Sequence, residues 1–270
     1  MFESATELPP LNELAFQFQP VVALVDGEPE WAEALIRWNL PDGTVRGPLD
    51  VLPHWLAEKR QDVFTRFSIE RVAAVLAQHE CAQVSINLSP RQLVSPATTG
   101  ALEGLLPDVA SRLRIELTEQ RFGDSRRLWG CLRAVRESCG AVLLDDVTEA
   151  DLNDRIPRGD LVDGVKVDRS VTLGIVDGTR RRQLEDFVSE LARRFPIVVV
   201  EGVEDPSLCD QIAALGVTHV QGFGVARPRA ELVLPLGEPS LPVVEAAVAK
   251  ASRLHLGSLL LGGGDSDLNA

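Results

Sequence analysis

The chain has 270 residues, of which 45% are hydrophobic and 25% are charged, and its formal net charge is −13 at pH 7. This composition is typical of a globular protein and excludes collagen, low-complexity sequence and wholesale disorder, while the negative field disfavours nucleic-acid polymers and acidic membranes as partners. No apolar run approaches the roughly 20 residues of a membrane span, and the first residues lack the pattern of a signal peptide.

Eight short β-rich runs follow one another along the chain, at 14–22, 31–38, 83–87, 112–116, 141–145, 163–168, 196–201 and 217–221. Only a short loop containing Asp26 and Gly27 separates the first two runs, which predicts an antiparallel hairpin. Helical patterns separate the later runs, and such crossovers indicate parallel pairing. Eight strands in this alternation favour a barrel over an open sheet.

The helical patterns are amphipathic. Apolar residues recur at three- and four-residue spacing over 61–79 and 180–195, which predicts helices with one buried face. Asp205 and Pro206 predict a helix start, and 241–261 reads as a further helix packed on the barrel. The predicted organisation is a flexible N-terminus at 1–12, a single barrel domain at 13–261 and a flexible tail at 262–270.

The four cysteines show no C-x-x-C spacing, and the four histidines form no H-x-x-x-H pair. These spacings disfavour a zinc or redox site, and reduced thiols are typical of a cytoplasmic location. The motifs of P-loop, dinucleotide-binding and G-x-S-x-G proteins are also absent from the sequence.

Polar residues stand at the carboxyl ends of the predicted strands, where parallel barrels assemble their chemistry. These residues are Asn87, Glu116, Asp145 with Asp146, Glu201 and Gln221. One alternative is that strand ends are polar simply because loops are polar. Five carboxylate- or amide-terminated strands together favour a functional site.

The run 31–38 supports the same site from its alternation. Glu33 and Arg37 share one face, whereas the other face is apolar and suits packing against helices. The charged face then points into the barrel, where buried charges need partners. The alternative is that Glu33 and Arg37 simply pair with each other.

Three further charged residues extend this site. Asp145 and Asp146 are adjacent, so both reach one site only if the strand ends there and the chain turns. Lys166 lies between apolar neighbours, which favours an interior position over a solvated edge. Together the predicted site holds these residues with Glu33, Asn87, Glu116 and Glu201.

The ligand types in this set are all oxygens, which favours Mg²⁺ or Mn²⁺ over zinc or copper. So many carboxylates cannot stay ionised together without cations, and two ions are the natural number. Two metal ions suit in-line attack of water on a phosphodiester, with Lys166 orienting the water or offsetting phosphate charge.

Eight ordered sequence blocks carry a resemblance to the EAL-domain cyclic di-GMP phosphodiesterases. The segment Glu33-Ala34-Leu35 resembles the motif that names the family, and the similarity covers about residues 14–230. The other blocks are FQPVV at 18–22, SINLSPRQL at 85–93, IELTE at 115–119, DD at 145–146, VKVDRS at 165–170, VEGVE at 200–204 and VQGFGVARP at 220–228.

The resemblance implies a TIM-like (β/α)8 barrel whose first strand is antiparallel to the rest. It implies hydrolysis of cyclic di-GMP to linear pGpG with Mg²⁺ or Mn²⁺, and two sets of metal ligands. One set is Glu33, Asn87, Glu116 and Asp145, and the other is Asp145, Asp146 and Glu201.

The resemblance also implies individual roles. Catalysis would involve Glu33, Lys166, Asp146 and Glu201, with Lys166 contacting the attacking water. Glu119 would anchor the loop after Asp146. Substrate would be bound by Gln19, Leu35, Arg37, Gln221 and Pro228.

The sequence departs from the family pattern after the paired aspartates, where Thr148 and Ala150 stand in place of glycines. In the family this loop helps to place the second metal and contributes to a homodimer, and glycine permits backbone shapes that other residues resist. The leading interpretation is an active phosphodiesterase. The alternatives are a cyclic di-GMP receptor without turnover and a protein-interaction module that regulates a partner protein.

Overall fold

The computed structural model describes residues 8–57, 59–152, 156, 161–178, 180–232 and 234. Its strands are β1 (Leu14–Ala23), β2 (Pro29–Asn39), β3 (Val45–Arg46), β4 (Val84–Leu88), β5 (Leu113–Leu117), β6 (Ala141–Val147), β7 (Gly164–Val167), β8 (Ile197–Val200) and β9 (His219–Val220). All eight predicted strands are present at nearly the predicted positions. The two-residue β3 was missed because so short a strand shows no alternation.

The helices lie between these strands. They are α1 (Pro48–Trp55), α2 (Gln61–Leu76), α3 (Pro90–Leu93), α4 (Pro96–Glu103), α5 (Pro107–Arg112), α6 (Ser125–Glu137), α7 (Arg169–Asp177), α8 (Arg181–Arg194) and α9 (Cys209–Ala214). Short 3-10 helices occur at Leu11–Glu13, Glu149–Leu152 and Pro206–Leu208. No helix in the described part of the chain is both long and apolar enough to cross a membrane.

The strands close into a barrel. β2 and β4 to β9 pair in parallel, each with the next, whereas β1 is antiparallel to both β2 and β9 and completes the ring. β3 only extends the end of β2 as a hairpin. The predicted TIM-like barrel with an antiparallel first strand is therefore confirmed.

The helices pack on the outside of the barrel through the apolar faces that their spacing predicted. In α8 the buried side chains are Leu184, Phe187, Val188 and Leu191. The helix predicted over 61–79 ends earlier, at Leu76. The predicted start at Asp205 is a cap, since its carboxylate accepts a hydrogen bond from the Ser207 backbone.

An apolar layer closes the barrel interior below the polar strand ends. It consists of Val21, Trp31, Leu143 and Val199, all fully buried. The centroid of the Trp31 ring lies 4.1 Å from the guanidinium carbon of Arg114 and 4.7 Å from the centroid of the His219 ring. Glu30 contacts both of these side chains, at 2.6 Å from Arg114 and 2.7 Å from His219. The interior is thereby filled at its amino-terminal end.

The ends of the chain are described only in part. Within the predicted flexible segment 1–12, Pro9 accepts a hydrogen bond from the buried Trp55 indole at 2.9 Å, so residues 8–12 pack on the barrel. The predicted helix at 241–261 and the predicted tail at 262–270 lie outside the described residues.

Candidate active site

The predicted site residues meet at the carboxyl end of the barrel. Glu33 on β2 lies level with Gln19 on β1, and Asn87 on β4 lies level with Glu116 on β5. The carboxylates of Glu33 and Glu116 reach the interior because alternate strand residues share a face. Asp145 and Lys166 follow on β6 and β7, and Glu201 directly follows β8.

The ammonium of Lys166 lies at the centre of this cluster and is 1% exposed. Its Nζ atom contacts four carboxylates, at 3.0 Å from Glu33, 2.8 Å from Glu116, 3.2 Å from Asp145 and 2.6 Å from Glu201. One positive charge thus faces four acidic groups in a buried setting. The predicted interior position of Lys166 agrees with the structure.

The remaining predicted acid, Asp146, reaches the cluster through a bulge. The register between β6 and β7 shifts between Leu144 and Val147, and Asp146 has a φ of +50°, the single positive φ among the described non-glycine residues. A left-handed residue turns the chain so that neighbouring side chains no longer face opposite sides. Oxygens of Asp145, Asp146 and Glu201 consequently lie within 4.8 Å of one another.

Burial perturbs the ionisation of these carboxyl groups. It raises the pKa of Asp146 to about 7, with help from the Asp145 charge, and it raises the pKa of Glu201 to about 8 against the attraction of Lys166. Burial also raises the pKa of Glu116 well above its ordinary value. Burial alone would lower the pKa of Lys166, but the surrounding carboxylates, led by Asp145, hold it well above its usual value.

Glu33 differs from the other acids because its partners outweigh its burial. Its oxygens accept hydrogen bonds from Asn87 Nδ2 at 2.6 Å and Gln221 Nε2 at 2.8 Å, besides the contact with Lys166. These contacts lower the pKa of Glu33 despite the opposing effect of burial. Arg37 instead donates to Gln17, so the alternative in which Glu33 and Arg37 simply pair is not formed.

The oxygen atoms available in this cluster are suitable ligands for divalent cations. The Asn87 Oδ1 and Glu116 Oε1 atoms are buried and have no hydrogen-bond partner in the described part of the chain. A buried oxygen without a partner is costly, and a hard cation is a suitable one. With Asp145, Asp146 and Glu201 grouped beside them, the site offers only oxygens, as Mg²⁺ and Mn²⁺ prefer.

Three of the five predicted substrate-binding residues line cavities at this cluster. Gln19 and Gln221 line the same cavity of about 310 Å³ as the carboxylates. Leu35 lines an adjacent cavity that Asn87 and Asp145 also border. Neither Arg37 nor Pro228 is among the described residues that line the first cavity.

The altered loop after Asp146 is held by its own side chains. The Asp151 carboxylate accepts hydrogen bonds from the Thr148 backbone N at 2.8 Å and from its hydroxyl at 2.9 Å. Arg180 binds both oxygens of Glu149 at 2.8 Å. Neither Thr148 nor Ala150 has a positive φ, so the left-handed strain expected from the missing glycines is absent there.

Glu119, predicted to anchor this loop, is exposed and borders a separate cavity. That cavity is also lined by Ala150 and Asp151, so Glu119 lies near the loop. Its anchoring role remains a prediction.

Five residues that line the cavity were not predicted. Arg169 and Glu204 form an ion pair at its edge, and Gly202 has a φ of +69° with Arg169 packed where a Cβ would lie. Gly222 and Phe223 also line the cavity. The sequence contained a signal for them, because all five lie within the blocks at 165–170, 200–204 and 220–228.

Comparison with known proteins gives consistent matches. The chain is 26% identical over 220 residues to "Probable cyclic di-GMP phosphodiesterase PdeB" of Escherichia coli K12, covering 78% of this chain and 42% of that protein. It is 27% identical over 237 residues to "Cyclic di-GMP phosphodiesterase NbdA" of Pseudomonas aeruginosa, covering 80% and 29%. The chain thus spans less than half the length of these relatives.

The fold and the family also match. The solved structure of the EAL enzyme Bd1971 with cAMP and cyclic di-GMP superimposes with a TM-score of 0.69 at 21% identity, covering 80% of this chain and 62% of that one. The family model described as "EAL domain" matches residues 4–228. The chain belongs to the EAL-domain family.

Proposed function

We propose that the protein is a metal-dependent phosphodiesterase that hydrolyses cyclic di-GMP to linear pGpG in bacterial second-messenger signalling. The carrying observation is the buried carboxylate cluster around Lys166, in which Asn87 and Glu116 keep unpartnered oxygens. The names of the two relatives, "Probable cyclic di-GMP phosphodiesterase PdeB" and "Cyclic di-GMP phosphodiesterase NbdA", support the proposed substrate.

The proposed cations are two Mg²⁺ or Mn²⁺ ions. Glu33, Asn87, Glu116 and Asp145 would hold one ion, and Asp145, Asp146 and Glu201 would hold the other. When bound, divalent cations neutralise phosphate charge and lower the pKa of water, which makes a nucleophile available near neutral pH.

The residues of the chain divide the remaining work. Lys166 stays protonated because its pKa is raised, so it donates hydrogen bonds and offsets phosphate charge but does not act as a base. Asp146 and Glu201 would act in catalysis as ligands of the proposed cations, which would lower the pKa values that burial raises in the cation-free cluster. Glu33 orients Asn87, Lys166 and Gln221 through its three contacts.

Substrate is held by side chains around these groups. Gln19 and Gln221 lie beside the cluster, and Gln221 keeps a buried Oε1 with no hydrogen-bond partner among the described residues. An unpartnered amide oxygen is suited to accept a hydrogen bond from a ligand. Leu35, Arg37 and Pro228 complete the proposed substrate-binding set from the family resemblance.

The wider setting of the protein is also proposed. The four cysteines are free, which suits a cytoplasmic location. A homodimer through the loop after Asp146 and a regulatory protein partner are proposals that light scattering and affinity capture would check. The proposed domain comprises residues 13–261.

Hydrolysis is tested by incubating the purified protein with cyclic di-GMP in Mn²⁺, Mg²⁺ or chelator and separating the nucleotides by chromatography. The expected result is pGpG that depends on the metal and disappears in Glu33→Ala. Glu13→Ala is the matched control, since Glu13 lies outside the cavity and accepts a hydrogen bond from the Trp38 indole.

The same samples separate the alternatives. The altered loop favours a receptor as the second candidate, because the family uses this loop to place a metal. A receptor would be stabilised thermally by cyclic di-GMP without forming product. An interaction module would show neither effect, and that outcome would refute the proposed function.

A further inference from the structure

An aromatic ring is exposed at the rim of the cavity. Phe223 is 55% exposed, and it is the one aromatic residue in the described part of the chain that is exposed. It lines the same cavity as Glu33, Asp146 and Lys166. An exposed aromatic side chain buries little apolar surface on folding, and here that surface lies beside a polar cavity.

The backbone that carries this ring is packed tightly against its neighbour. A Cβ on Gly222 would lie 2.2 Å from the Val203 carbonyl oxygen, and one on Gly224 would lie 2.1 Å from the Glu204 carbonyl oxygen. Gly224 also donates a backbone hydrogen bond to Val203 at 3.0 Å. The two glycines thus let the segment approach the next loop closely, and the ring between them sits on a rigid support.

A cation supports the ring from one side. The guanidinium carbon of Arg227 lies 4.9 Å from the centroid of the Phe223 ring, within the range of a cation–π contact. This contact further restricts the orientation of the ring. Phe223 therefore offers an exposed apolar ring at the edge of the cavity that it lines.

We infer that Phe223 is a stacking platform for a guanine base of the substrate. This inference rests on the proposed function, in which a cyclic purine dinucleotide places its phosphodiester at the carboxylate cluster. Every base presents a flat face, and stacking on aromatic side chains is a general way to hold one. Phe223 therefore determines affinity and substrate choice and takes no part in bond breaking.

The inference is tested with Phe223→Leu, which removes the ring but keeps an apolar side chain, and Phe223→Trp, which keeps a flat surface. Leu106→Ala is the control, because Leu106 is 71% exposed and lies outside the cavity. Steady-state hydrolysis of cyclic di-GMP gives KM and kcat. A cyclic dinucleotide carrying 2-aminopurine reports stacking directly, because stacking quenches its fluorescence.

Phe223→Leu is expected to raise KM by about 5-fold to 150-fold with kcat nearly unchanged, the range expected for one stacked base. It should also abolish the quenching, whereas Phe223→Trp and Leu106→Ala should behave like the wild type. An unchanged KM and unchanged quenching in Phe223→Leu, with an active wild type, would overturn this inference alone. A wild type that neither binds nor hydrolyses the dinucleotide would overturn the proposed function and this inference with it.

Discussion

Replacing Lys166 with methionine is expected to destabilise the protein strongly when cations are chelated. The substitution removes the ammonium that contacts Glu33, Glu116, Asp145 and Glu201. The Lys166 side chain is 1% exposed and that of Glu116 is 0% exposed, so water cannot replace the lost contacts.

The expected magnitude follows from this burial. Removing one partner of a buried ion pair costs about 3–5 kcal/mol, a large share of a typical stability of about 5–15 kcal/mol. The loss should shrink as the pH falls from 8 towards 5, because the raised pKa values of Glu116 and Glu201 let these groups lose their charge. Saturating Mn²⁺ should restore part of the stability by supplying positive charge to the same carboxylates.

The assay is urea unfolding of wild type and Lys166→Met in chelator at pH 8 and pH 5, and in Mn²⁺ at pH 8. Lys59→Met is the control, because Lys59 is exposed. If Lys166→Met in chelator stays within about 0.5 kcal/mol of wild type, the range of an ordinary surface change, the reasoning about buried charge is wrong.

Four further predictions concern the acids and the loop. Calorimetry should show Mn²⁺ affinity at the Asp146 and Glu201 site rising with pH, by up to about 100-fold per pH unit below pH 7, because both groups must lose protons that their raised pKa values retain; an affinity independent of pH would contradict this. In chelator, the same raised pKa values should make the free energy of unfolding fall as the pH rises from about 4 to 8. Urea unfolding measures this, and a free energy of unfolding that rises instead would contradict the raised pKa values. Asp146→Gly should raise stability by about 1 kcal/mol, since it relieves a left-handed backbone, yet lose Mn²⁺ affinity; an unchanged affinity would exclude Asp146 as a ligand. Glycines at Thr148 and Ala150 together should lower stability by about 1 kcal/mol, because the Thr148 bond to Asp151 is lost, without raising turnover; a clear gain in turnover would show that the loop limits activity.

The barrel could be predicted from the sequence because each strand carries its own local signal. The run from Ala141 is apolar and bounded by turns, and the loop at Asp26 and Gly27 is too short for anything but a hairpin. The parallel order followed from the intervening helices. The end of α2 was placed three residues late because the residues at 77–79, Ala-Gln-His, include no glycine or proline that would mark the end of a helix.

The sequence could predict which strand-end acids and which lysine form the site, but not how their side chains are arranged. The strand-end acids and the interior Lys166 were visible as polar residues after apolar runs. The bulge at Asp146 was not, since most aspartates have a negative φ and the residue type alone does not indicate a left-handed one. The contact of Lys166 with four carboxylates at once depends on the closure of the whole barrel, so no local pattern contains it.

The central claim, that the carboxylate cluster binds divalent cations, is tested most directly by anomalous diffraction from crystals soaked in Mn²⁺ and cyclic di-GMP. We predict one peak within about 2.0–2.4 Å of oxygens of Asn87 and Glu116, and a second at the same range from Asp146 and Glu201. The first peak should be absent from Glu33→Ala crystals in the same soak, and the second peak should be absent from Asp146→Gly crystals. A wild-type crystal with ordered cyclic di-GMP and no peak at the cluster would contradict the claim.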